Sequence, residues 1–129
     1  MLTAEHAVCA LPRFVAARVV APWREAPPPW VAETVYGSWM VMNLTLSARP
    51  VSRGFPLAWD NVLYDSPSLG YICATHQALR DVGPTVLTYY LPLLDDDPRQ
   101  ARRRLLATPW EEWVRTAMAD LGRAHFDDK

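Results

Sequence analysis

Residues 39–46 read WMVMNLTL, a run with no charge, glycine or proline. Side chains alternate across an extended chain, so Trp39 and Val41 fall on one face and Met40, Met42, Leu44 and Leu46 on the other. Two apolar faces at the start of the run predict a strand in the middle of a sheet. Three further runs have the same character: LAWDNVLY (57–64), LGYICATH (69–76) and TVLTYYL (85–91). Asp65-Ser66-Pro67-Ser68 between the first two is turn sequence, so 57–64 and 69–76 are expected to form a hairpin. A polar loop, SARPVSRGFP (47–56), precedes them, and Asp81, Gly83 and Pro84 introduce the last run, which Pro92 is expected to stop.

The C-terminal third reads as helix. Asp97 and Pro98 suit the N-cap and first position of PRQARRRLLA, whose three arginines at 102–104 read as a solvated face or a contact with another domain. Thr108-Pro109-Trp110-Glu111 has the pattern of a capping box. The stripe Trp110, Trp113, Val114, Ala117, Met118, Leu121 has helical spacing and is expected to lie on the sheet, with Gly122 as C-cap. Upstream, EHAVCA (5–10) reads as a short buried strand and 13–20 as one or two helical turns. Pro27-Pro28-Pro29 reads as an extended connector whose last proline opens a further helical turn. A lone terminal strand has nothing local to pair with, so it is expected to join a sheet made elsewhere, in a natural chain that begins before Met1. The order of strands followed by helices predicts an α+β fold: a mixed, largely antiparallel sheet of four to five strands packed by C-terminal helices.

Composition narrows the function. The chain has 129 residues, with 13 basic and 14 acidic side chains and a net charge of −1, which leaves no electrostatic footprint for nucleic acid. No apolar run is long enough to span a membrane and no targeting segment is present, so a soluble, by default cytoplasmic, protein is expected. Cys9 and Cys73 read as buried free thiols, and the histidines at 6, 76 and 125 are too scattered for a metal site.

Polar groups among the strand runs are the candidates for a site. Asn43, Trp59, Asn61, Tyr64, His76, Tyr89 and Tyr90 suit the wall of a ligand pocket, mostly apolar with a few placed polar groups. Each has a plainer reading. Asn43 can be an amide bonded to backbone, and the Trp59-Asp60-Asn61 triplet a bulge or hydrogen-bond knot. His76 suits a general base or a structural strand end. Tyr89 and Tyr90 point to opposite faces, so at most one reaches a given pocket. No glycine-rich phosphate loop or nucleophile elbow is present.

The chain resembles the middle portion of flavin-dependent amine-oxidase-like oxidoreductases, in particular bacterial relatives of uncertain substrate. The residues that carry the resemblance are AVCALPRFVAARVV (7–20), NLTL (43–46), LAWDNVLYDSPSLGYICATHQ (57–77), GPTVLTYYLPL (83–93) and RRRLLATPWEEW (102–113). It implies that 1–22 form a returning strand and connector toward a missing FAD-binding domain, with Ala10-Leu11-Pro12 at the strand's end. It implies that 23–129 form a substrate-binding-type α+β domain. FAD would belong to the full-length parent, with no cofactor in this chain alone, and the partner would be an amine or similar reduced carbon compound. Two departures stand out. The family's G-x-G-x-x-G fingerprint is absent, and its flavin-proximal lysine, which would fall near Val41, is absent too; the sole lysine is Lys129. The alternative expectation is a free-standing, non-enzymatic ligand-binding or dimerisation module, in which a homodimer covers an open sheet edge.

Overall fold

In a computed structural model the described residues are 3–51, 56–75, 79, 82–94 and 97–125. The chain divides into two compact units, Met1–Tyr36 and Gly37–Lys129. The boundary at 22/23 follows from the resemblance; packing places the division after Tyr36.

The first unit holds three short helices, α1 (Arg13–Val19), α2 (Ala21–Glu25) and α3 (Pro29–Glu33). Pro29 opens α3 after Pro28, which lies in the polyproline region at φ −58°, ψ 146°, as the proline run predicts. Only Ala16 is buried among the described residues of this unit, so aromatic contacts hold it in place of a core. Phe14 meets Tyr36 edge to face at 5.2 Å, and Trp23 meets Trp30 at 5.1 Å. The Arg13 guanidinium lies 5.1 Å from the Trp30 ring and donates to Thr34 Oγ1 at 2.9 Å. The strand expected over 5–10 is not formed, and Thr3–Ala10 are all exposed, Cys9 included. The reason is the one its isolation implies: the described residues of this unit include no strand to complete its ladder.

The second unit is α+β. Strands β1 (Ser38–Leu46), β2 (Asp60–Asn61), β3 (Gly70–Cys73) and β4 (Thr85–Leu93) form an antiparallel sheet in the order β1-β4-β3-β2. Helices α4 (Pro98–Ala107) and α5 (Trp110–Ala124) cover one face. That face supplies the core: Met40, Tyr71, Cys73, Leu87, Tyr89, Leu91 and Leu93 from the strands, with Ala101, Trp113, Ala117 and Leu121 from the helices. No helix among the described residues is long and apolar enough to cross a membrane.

Five expectations change on folding. The run at 39–46 is not central: β1 is an edge strand, and its second apolar face, Trp39 and Val41, stays about half exposed. The strand expected over 57–64 shrinks to Asp60–Asn61, because the Asn61 amide folds back on Ala58, accepting from its N–H at 3.0 Å and donating to its carbonyl at 2.9 Å. β4 runs through Pro92 to Leu93. β3 begins only at Gly70, opposite Tyr90, so Pro92 has no strand partner on the side of β4 away from β1, and a missing N–H is tolerated there. The capping box at Thr108 is not formed. Its hydroxyl donates to the Arg104 carbonyl at 2.8 Å and closes α4, while α5 starts after Pro109 and runs past Gly122 to Ala124. Asp97 does cap α4, accepting from the Arg99 and Gln100 N–H groups at 3.0 and 3.4 Å.

The 60–73 hairpin depends on one glycine. Gly70 has φ +85°, and a Cβ there would lie 1.9 Å from the Asn61 carbonyl oxygen. Glycine alone combines this backbone conformation with that approach.

Candidate functional site

Alternation sorts the sheet into two different surfaces. On the helix-covered side, Tyr89 is fully buried and donates its hydroxyl to Asp120 Oδ2 at 2.6 Å. Ser66 donates to the same oxygen, Ser68 shares a 2.7 Å bond with Ser66, and Arg123 holds Oδ1 at 2.6 Å. Burial pushes the Asp120 carboxyl up, but the donors from Ser66, Tyr89, Arg123 and Ser68 outweigh it and hold the group below the usual carboxylate range. Burial, reinforced by the Asp120 contact, pushes the Tyr89 phenol up to about 12, so it remains the donor. This network ties the 65–68 turn and β4 to α5.

Two other polar clusters lie on the same side. Tyr71 bonds His125 Nε2 at 2.6 Å, and burial followed by the Cys73 charge pushes its phenol up to about 12. The pair borders a cavity of about 350 Å³ whose other walls include Leu57, Asn61 and Val62. Cys73, Thr75 and Thr85 form a buried chain, with Sγ 3.0 Å from Thr75 Oγ1 and the two hydroxyls 2.6 Å apart. Burial pushes the Cys73 thiol up, but these hydroxyls, the Thr75 backbone and the Arg49 charge bring it below its ordinary value. The indole Nε1 of Trp113 is buried without a hydrogen-bond partner, at a cost of about 1–3 kcal/mol.

The other side of the sheet is not covered by α4 or α5. Register places Val41 beside Tyr90, Trp39 beside Pro92, and Asn43 beside Thr88, which is itself beside Ile72. Thr88 donates to Asn43 Oδ1 at 2.8 Å, and Trp39 meets Tyr90 edge to face at 6.4 Å. The result is an apolar floor with one amide–hydroxyl pair set in it. At its border lies the free edge of β1, beside a groove of about 510 Å³ shared with Trp110, Trp113 and Val114 of α5.

The candidates picked from sequence therefore do not converge on one cavity. Asn43 and Tyr90 share the open face. Tyr89 is a core residue of the Asp120 network, and Asn61 is the knot that closes residues 58–61. Trp59 is half exposed and its carbonyl accepts from the Cys73 N–H at 2.8 Å, while Tyr64 is fully exposed on the turn. His76 lies outside the described residues. Sequence reading missed Thr88 as the partner of Asn43, which depends on strand register, and the pairing of Tyr71 with His125, which depends on how the end of α5 meets the sheet; no short window reveals either. It also placed Trp110 and Met118 on the sheet, whereas they are 69% and 50% exposed.

Among the described residues neither α4 nor α5 opens on a dinucleotide cradle. The N-terminus of α4 is occupied by the Asp97 carboxylate, an anion already taking the N–H groups that a pyrophosphate would need, and α5 follows Pro109 without a glycine turn. Among the described residues no group of three or more His, Cys, Asp or Glu side chains is placed to hold a metal. No family model, curated protein or solved structure matches the chain.

Proposed function

We propose that the chain is the substrate-side domain of a flavin-dependent, amine-oxidase-like oxidoreductase, with FAD held by a separate domain of the parent protein. The observation that supports this reading is the two-sided sheet: one face is sealed by α4 and α5, and the other is an open apolar floor carrying the Asn43–Thr88 pair. A pocket wall has this composition, and such a wall needs a second body to close over it. In the parent, Trp39, Val41 and Tyr90 exclude water and orient an apolar amine or similar reduced carbon compound, and the Asn43–Thr88 pair supplies its polar contact. The isolated chain is inactive, because flavin chemistry belongs to the cofactor.

The test is to express the natural coding region with its flanking sequence and follow flavin absorbance while amines are added. The expected result is a bound flavin, bleached by substrate, with Val41→Asp and Tyr90→Ala raising KM by about tenfold or more through lost apolar contact. A coding region with no dinucleotide-binding unit, or a flavoprotein indifferent to both substitutions, overturns the reading. A second reading, a free-standing binding or dimerisation module, draws on a different observation, the uncharged free edge of β1.

A further inference from the structure

The groove along β1 is walled by seven consecutive residues, Met40–Leu46, and floored by Trp110, Trp113 and Val114. Consecutive residues of a strand point to opposite faces, so a void that touches all seven lies beside the strand, in the plane of the sheet. That is the position of the next strand. Among the described residues nothing pairs with this edge.

We infer that the groove receives β1 of a second copy of this chain, paired antiparallel across a two-fold axis so that two four-stranded sheets become one. Soluble proteins guard a long free edge with lysines, prolines, bulges or an inward charge. Ser38–Leu46 has none of these over nine residues. The occupant must be extended and uncharged, with an apolar residue at every second position above α5. β1 itself meets that description, with Met40, Met42, Leu44 and Leu46 on the helix side. A two-fold interface needs a patch complementary to itself, and an uncharged antiparallel strand satisfies this without a charge conflict. Met42, Leu44 and Leu46 are only partly buried within one copy, although they pack against the core. The second strand covers them. The inference stands on the edge alone and is independent of the flavin reading.

Sedimentation of the full chain over a wide concentration range tests it. The expected result is a reversible dimer whose dissociation constant rises at least about tenfold in Val41→Lys and in Thr45→Lys, since an edge lysine opposes pairing. Both positions are exposed, and circular dichroism checks that the fold survives. Val86→Lys, on the open face but one strand inward, leaves the dimer unchanged. Amide exchange on the unaltered chain gives a second readout, with β1 protection rising with concentration. The inference is overturned by a monomer at every concentration, by a dimer that both edge lysines leave intact, or by a dimer lost in Val86→Lys. It is equally overturned by β1 protection that does not change with concentration, which would mean that another segment of the same chain holds the edge.

Discussion

β1 and β4 lie side by side, each nine residues long and paired with the other along its whole length. Both are apolar, uncharged and built on the same alternation. Yet β4 alternates between buried and half-buried residues from end to end, whereas β1 falls from buried at Ser38 and Met40 to half-buried at Leu46, with exposed residues between. The difference is neighbours. β4 has β1 on one side and β3 on the other over Leu87–Tyr90, whereas among the described residues β1 has β4 as its one strand neighbour. Burial is set by position in the sheet, and composition alone does not distinguish a centre from an edge.

The strongest way to break this comparison is a matched pair of truncations at partners in register. Leu87 is 1% exposed and Leu44 is half-buried. Leu87→Ala is expected to cost about 3 kcal/mol, by lost transfer energy plus a cavity, and Leu44→Ala about 1 kcal/mol. Denaturant unfolding of dilute protein gives both numbers. Equal costs would mean that β1 is as buried in solution as β4.

The adjacent tyrosines sharpen the comparison within β4. Tyr89→Phe removes a buried donor from Asp120 and is expected to cost about 1–2 kcal/mol. Tyr90→Phe, on the open face, is expected to stay within about 0.5 kcal/mol. Similar losses in thermal unfolding would show that the two faces are not distinct.

The smallest effect is in pH dependence. Asp120 titrates below its unfolded value, so its contribution is present above the unfolded pKa and is lost as pH falls through the lower folded pKa. Stability is therefore expected to fall on acidification below the ordinary carboxylate range. Asp120→Asn should flatten that slope while lowering stability at neutral pH. A slope that Asp120→Asn leaves unaltered would assign the acid sensitivity to other carboxylates.

Local signals in the sequence reached a definite depth. Asp97-Pro98 predicts the α4 start because a carboxylate beside free N–H groups acts within three residues. The spacing of Trp113, Ala117 and Leu121 predicts the buried stripe of α5 for the same local reason. Thr108 shows where such signals stop. The residue fits a cap for the helix after it and a hydroxyl donor to the helix before it, and the Arg104 carbonyl won. Asn61 behaves likewise, since its amide closes on Ala58 and ends a strand that the apolar run predicts.

The sequence by itself determined the alternation of the strand runs, the α+β order and the Asp97 cap of α4, because those depend on periodicity and on groups a few residues apart. Tertiary structure alone decided that β1 is the edge, that Tyr89 serves Asp120 while Tyr90 faces outward beside Trp39, and that Asn43 meets Thr88. Strand order and register bring together residues more than 40 positions apart, as with Asn43 and Thr88, and local chemistry carries no record of which distant strand will be the neighbour.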